Sequence, residues 1–522
     1  MTWVLLALLV VPLVGALAVT FLRKDDAKAK LVALAFSVVE LVLAVLLWTA
    51  YKPGGDRIQL AFGVDWIPAF GVRLSFGIDG IALVMIAVIA LLIPLVIGAG
   101  WTEKLPAGRS QGGYLALILV QEAVTVGVFA ATDVFLFYVL FEVMLIPMYF
   151  LIGGYGGARR QYAAVKFFLY SFLGGLIMLA SAIGAYAMAS DELGKGTFDW
   201  ATLVKVVSDA DSTTQTWLFL GFFLAFAIKA PLVPFHTWLP DAAAEAPIGV
   251  TVIVVGILDK VGTFGMLRYL LPMFPTASKN LAPLVLVLAV AGVLYGSLLA
   301  TGQRDMKRFL AYVSIAHFGF IALGIFSFTS QAGVGSVSYM LNHSVSTGML
   351  ILVIGMVIAR GGSSQISDYG GMSKVAPLLA GMLLLSGLTT LSLPGTNSFV
   401  SEFLVLIGSF PTRPVYTIIA TVGMVLAALY VLWLYQRMMT GPLRGNALVA
   451  AAAGPGAVGD PERRTSIGDL SKREIAVLAP LVVIVLALGF YPQPVLDVIT
   501  PTVGATLTEV GVTDPVSVQE GK

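Results

Sequence analysis

Runs of about 20 apolar residues, broken by short polar spacers, recur along this chain and match the helix length that crosses a ~30 Å hydrocarbon core. The pattern predicts fourteen helical spans, at residues 2–22, 30–50, 79–100, 113–131, 132–152, 163–190, 216–238, 248–272, 282–300, 305–326, 334–359, 375–411, 414–438 and 473–492. A β-barrel would show shorter segments of alternating polarity. The expected fold class is therefore an all-α polytopic membrane protein. Arg23 and Lys24 follow the first apolar run and do not precede it, so that run reads as a span and not as a secretory signal.

Two spans are interrupted. In AFAIKAPLVPFHTWLP, Pro231 and Pro234 each remove a backbone donor, which is expected to free the carbonyls of Ala227 and Ala230. In TTLSLPGTNSFVSEF, Pro394 and Gly395 break the helix and are expected to free the carbonyl of Thr390. The breaks fall at corresponding places if spans four to eight and nine to thirteen form two five-helix repeats. Five is odd, so the second repeat must be inverted. Paired broken helices in such repeats point to a transport site. The expected organisation is a three-helix segment at 1–112, a first repeat at 113–272, an inverted second repeat at 282–438, a cytoplasmic linker at 439–472, and a last span with its tail at 473–522. The linker is rich in Ala, Gly and Pro and reads as flexible. Residues 197–207 and 495–509 read as short helices on the outer membrane face.

Composition narrows the function. The chain is 58% hydrophobic and 11% charged, where soluble domains carry about 25% charged residues. Lys+Arg 31 against Asp+Glu 29 argues against a nucleic-acid partner. Without cysteine there are neither disulfides nor Cys-ligated iron–sulfur clusters. Three histidines are too few for a zinc site, so no metal is expected. Twenty Lys and Arg fall on odd-numbered loops and nine on even-numbered loops and the tails. That bias places the odd loops in the cytoplasm and both termini outside. The two basic residues left over are Lys229 and Lys260, deep inside spans.

A charge at mid-bilayer costs about 2.5–3.5 kcal/mol on insertion scales. Glu142, Lys229, Lys260 and Glu402 all carry that cost, and His317 and His343 are also mid-span. Six ionisable groups of mixed sign on six helices read as a polar track that passes protons. Each also has a plainer reading. Glu142 and Lys229 would serve as a buried ion pair, Glu402 as a cap on a half-helix, and the histidines as satisfied core residues. Ser398 and Ser401 are expected to flank the Glu402 carboxylate. Glu122, Asp133 and Glu40 are secondary candidates because span edges and snorkelling explain them more simply, His236 because it sits near a cytoplasmic rim, and Asp259 is a further secondary candidate. Asp259 adjoins Lys260, but neighbouring residues do not share a helix face.

At these residues the chain resembles a known family. The segments FLFYVLFEVMLIPMYFLIGGYGG, FAIKAPLVPFHTWLPDAAAEAP, GQRDMKRFLAYVSIAHFGF, LNHSVSTGMLILVIGM and LPGTNSFVSEFLVLIGSF are similar to the antiporter-like subunits of proton-pumping NADH:quinone oxidoreductase, respiratory complex I. The resemblance covers nearly the whole chain. Sister types L and N, and the Mrp-type antiporter subunits, carry a lysine on the twelfth span; Glu402 there resembles the M type. The 441–472 loop is longer than the family pattern. The resemblance implies that Glu142 modulates Lys229, that Lys260 is the central relay, and that His317 and His343 lead to Glu402 as the terminal proton site. It implies no cofactor on this chain, with FMN, iron–sulfur clusters and quinone in partner subunits. The implied partners are the other membrane-arm subunits, L and N among them, and the implied location is the bacterial cytoplasmic membrane. Two alternatives stand beside it: an Mrp-type cation/proton antiporter subunit, and a b-type haem protein ligated by His317 and His343.

Overall fold

The computed structural model describes residues 2–22, 24–103, 105–445 and 468–514. Most of the 439–472 linker, residues 446–467, lies outside the described residues. The chain opens with helices α1 (Thr2–Phe21) and α2 (Asp26–Ala50), then a hairpin of β1 (Gln59–Ile67) and β2 (Val72–Ile78), then α3 (Gly80–Ala99). Next come α4 (Gln111–Ala130), α5 (Val134–Val143), α6 (Leu145–Tyr155), α7 (Arg160–Leu193), α8 (Trp200–Ser208), α9 (Ser212–Lys229) and α10 (Trp238–Glu245). One continuous rod over Ile248–Met273 holds α11 (Ile248–Ile253), α12 (Asp259–Gly265) and α13 (Leu271–Met273), joined by two π-helical segments, Val254–Leu258 and Met266–Leu270. Then follow α14 (Pro275–Thr301), α15 (Met306–Ile325), α16 (Ser330–Gly361), α17 (Pro377–Thr390), α18 (Asn397–Ser409), α19 (Pro414–Met439), α20 (Lys472–Phe490) and α21 (Gln493–Val510).

Among the described residues, twelve helices are long and apolar enough to cross a membrane, with α5 and α6 counted as one kinked span. The two interrupted spans complete the predicted set as helix pairs: α9 with α10, and α17 with α18. Side-chain caps fix many helix starts. Asp79, Ser110, Asp133, Asp211, Asp305 and Thr329 each accept a backbone N–H of the following first turn. Ser471 and Glu474 form a reciprocal capping box on α20.

Burial sorts the helices into layers. The rod over Ile248–Met273 is wholly buried, and α3, α15 and α16 nearly so. The outer helices keep large apolar side chains exposed, such as Leu173, Val287, Val425 and Val483, as a lipid-facing surface requires.

Three features depart from the expected layout. Residues 59–78 form a hairpin where the sequence reading placed only a loop. Helices α8 and α21 do occur, but α21 is pinned to the bundle end and does not lie free on a bilayer face: Arg57 donates to the Thr502 carbonyl at 2.7 Å, and the Gly80 N–H donates to Thr502 Oγ1 at 3.0 Å. Arg268, one of the nine basic residues counted to even-numbered loops and tails, is fully buried and paired with Asp79 at 2.8 Å.

Candidate functional site

The site begins where α5 ends. Glu142 is the penultimate residue of α5, just before the kink at Met144. Its carboxylate points at Gly175 of α7, and a methyl group at that position would collide with it. Both carboxylate oxygens are buried without a hydrogen-bond partner.

Lys229 is the last residue of α9, and the break that follows runs to Trp238. Pro231 and Pro234 end the helix as expected, but not by leaving every carbonyl free. The Leu232 N–H donates to the Ala227 carbonyl at 2.9 Å, and the Trp238 indole N–H donates to that of Ile228 at 2.9 Å. The Lys229 ammonium lies over the rings of Phe141, at 5.1 Å, and Phe167, at 5.2 Å, with no hydrogen-bond partner. Glu142 and Lys229 are therefore neighbours whose charges interact across a gap, and not a closed ion pair.

The second half is more closely linked. A π-helical turn misplaces backbone carbonyls relative to a regular helix, and Lys260 uses one: its Nζ donates to the Val255 carbonyl. The same Nζ lies 2.7 Å from His343 Nδ1 and over the Phe318 ring. The His343 and His317 rings meet edge to face, centroids 5.2 Å apart. His317 Nδ1 is 2.5 Å from the Tyr339 hydroxyl, which donates to Glu402 Oε2 at 3.0 Å. The Ser392 hydroxyl donates to the same carboxylate oxygen. Ser392 lies in the break between α17 and α18, where Pro394 and Gly395, at φ +90°, interrupt the helix. Ser398 and Ser401, expected beside Glu402, instead join Ser346, Asn342 and Asn397 in a separate polar knot. Charge of both signs thus lies along one buried path through helices that are otherwise apolar.

Residues 131–429 match the family model described as NADH:quinone oxidoreductase/Mrp antiporter, TM. The chain belongs to that family. A relative from Mycobacterium tuberculosis (strain H37Rv), named NADH-quinone oxidoreductase subunit M, is 45% identical over 97% of this chain and 94% of its own. A subunit M from Rhodobacter capsulatus is 38% identical over 92% of this chain and 90% of its own. A chain in the structure of respiratory complex I from Thermus thermophilus with bound NADH superposes with a TM-score of 0.84 at 31% identity, covering 98% of this chain and 100% of that one.

The secondary candidates separate from the track of this family member, except one. Glu122 of α4 faces Glu40 of α2 in the N-terminal segment, with all four carboxylate oxygens buried and unpartnered. Asp133 caps α5 and accepts the Arg73 N–H at 3.0 Å, a structural tie to the hairpin. His236 packs edge to face on Tyr295 at 5.0 Å, away from the other histidines. Asp259 adjoins Lys260 on α12 and is wholly buried. A planar tetrapyrrole between His317 and His343 does not fit, because the two rings meet edge to face, centroids 5.2 Å apart, and leave no room for it.

Two members of the path escaped the sequence reading: Tyr339 and Ser392. Tyr339 precedes His343 by one helical turn and so shares its face, the one signal available for it. Ser392 sits in a break already recognised, but nothing in the sequence sets it apart from the other hydroxyls nearby.

Proposed function

We propose that this chain is the M-type proton-translocating membrane-arm subunit of an NADH:quinone oxidoreductase, and that its substrate is the proton alone. The observation that carries the reading is the polar path Lys260–His343–His317–Tyr339–Glu402, hydrogen-bonded at every step but the edge-to-face contact of the two histidine rings and buried inside a bundle of apolar helices. Buried ionisable groups are costly and mark ion pathways in membranes. A lysine's hold on its proton depends on the charges around it. The gap between Glu142 and Lys229 makes that influence adjustable: a small shift at the α5–α6 kink or at the α9 break brings the charges together or parts them.

In this reading residues 113–272 and 282–438 are the two inverted repeats, and the odd loops face the cytoplasm. The proton enters near Lys229, passes Lys260, and leaves outward from Glu402. Redox chemistry, with FMN, iron–sulfur clusters and quinone, belongs to partner subunits, and subunits L and N are the sister pumps in the arm. The test has two parts. The tagged chain is expected to copurify with NADH-oxidising and quinone-reducing partners, and Lys229→Ala is expected to abolish most of this subunit's share of proton uptake while the complex assembles. Sodium-dependent transport by a complex that does not oxidise NADH would replace this reading with an Mrp-type antiporter.

A further inference from the structure

Asp259 is a buried carboxylate that the path described above does not use. It is wholly buried, and neither oxygen has a hydrogen-bond partner. Buried polar groups are nearly always bonded, so an orphaned carboxylate beside two lysines calls for an account of its surroundings.

The packing around it shows where it points. One turn further along α12, Gly262 rests directly on α9: a methyl group there would lie 2.5 Å from the Phe226 carbonyl oxygen and 2.6 Å from the Ala230 nitrogen. The next turn, Gly265, rests on the Phe226 ring. Residues three or four apart share a helix face, so Asp259, Gly262 and Gly265 line the α9 side. Contacts that move from Ala230 back to Phe226 as α12 advances make the two helices antiparallel. Asp259 therefore falls at the level of the α9 terminus, where Lys229 sits. Lys260, one residue on, is turned about 100° around the helix toward α16, where it reaches His343. The Asp259 carboxylate is close enough to interact electrostatically with both ammonium groups.

We propose that Asp259 relays protons between Lys229 and Lys260. The proposal rests on the reading of this chain as a proton translocator. In the first transfer an N–H bond of the Lys229 ammonium breaks and an O–H bond forms on Asp259, leaving a neutral amine and a carboxylic acid. In the second that O–H bond breaks as the neutral Lys260 amine takes the proton, and the carboxylate is restored. The two lysines face different neighbours, and a carboxylate next to Lys260 on the side that packs against α9 supplies the missing step. It also joins the first repeat, where Glu142 acts, to the histidine path of the second.

The experiment uses the intact complex in inverted membrane vesicles, with proton uptake measured per NADH oxidised and assembly checked by native gel. Asp259→Asn is expected to assemble and to slow transfer through this subunit by roughly 100-fold, the low end of what a positioned acid–base group contributes, so that uptake per NADH falls by this subunit's share. Asp259→Glu is expected to recover much of it. Wild-type uptake in Asp259→Asn overturns the proposal, as does a lower yield of complex with unchanged uptake per assembled complex. If Asp259→Asn does not assemble, infrared difference spectra of wild-type and Asp259→Glu complexes decide. A carboxylic C=O band that appears on turnover and shifts in the Glu variant supports the relay, and identical spectra overturn it. Lys229→Ala serves as the control. If it too pumps normally, the translocator reading itself fails; if it is blocked while Asp259→Asn pumps, only the relay fails.

Discussion

Tyr339→Phe tests the narrowest point of the path. The ring is kept, with its edge-to-face contact to His317 at 5.6 Å and its packing on Phe320 at 6.3 Å. Only the hydroxyl is lost. His317 Nδ1 then loses its 2.5 Å partner, and Glu402 loses the donor at 3.0 Å while Ser392 stays. A hydrogen bond to a charged group is worth about 1.5–3 kcal/mol, and about 1.4 kcal/mol is a factor of ten. Transfer between His317 and Glu402 should therefore slow by about ten- to a hundredfold. The fold is expected to tolerate the loss, because the ring fills the same volume. The assay is the rate of proton uptake by inverted vesicles given NADH, normalised to assembled complex on a native gel. Uptake at the wild-type rate in a fully assembled Tyr339→Phe complex would show that protons do not pass this hydroxyl, and the path through His317 would be wrong.

Three further outcomes follow from the geometry. Lys260→Arg keeps a charge beside His343 but does not release its proton at accessible pH, so pumping should fall several-fold or more, by an order-of-magnitude estimate for a positioned proton carrier; full activity would mean that this site supplies only a fixed positive field. Gly175→Ala places a methyl group where the Glu142 carboxylate lies, so the carboxylate must move, and a drop in uptake without loss of assembly is expected; an unchanged rate would show that the Glu142 position is uncritical. A single cysteine replacing Ala158 should react with impermeant maleimide only from the cytoplasmic side, and one replacing Lys195 only from outside; the reverse labelling would overturn the orientation.

The spans were legible because length and apolarity act over twenty residues at once, and the buried charges because each stands alone in such a run. The breaks were legible for the same reason: Pro231, Pro234 and Pro394 are backbone events visible in one letter. What could not be read was where side chains point. The Lys229 ammonium lies over two aromatic rings, Phe141 and Phe167, and makes no closed pair with Glu142, which no spacing in the sequence announces. Tyr339 is one tyrosine among 17, and its polar tip matters only because α15 and α18 converge on it. The π-helical turns around Lys260 leave no mark in the hydrophobic pattern of a fully buried rod. Arg268 looked like a loop charge near a span end, and its partner Asp79 is 189 residues away. The hairpin at 59–78 does show alternation, at Leu60, Phe62, Val64 and Trp66, but the signal is faint beside runs of twenty.

The central claim is that protons leave this subunit through Glu402. Its most direct test is proton uptake by inverted vesicles during NADH oxidation with Glu402→Gln, which keeps the shape and the acceptor for Tyr339 and Ser392 but no longer titrates. The account predicts that the assembled Gln complex does not pump through this subunit, while Glu402→Asp and Glu402→Lys, which both titrate, retain part of the rate. A Glu402→Gln complex that assembles and pumps at the wild-type rate would contradict it.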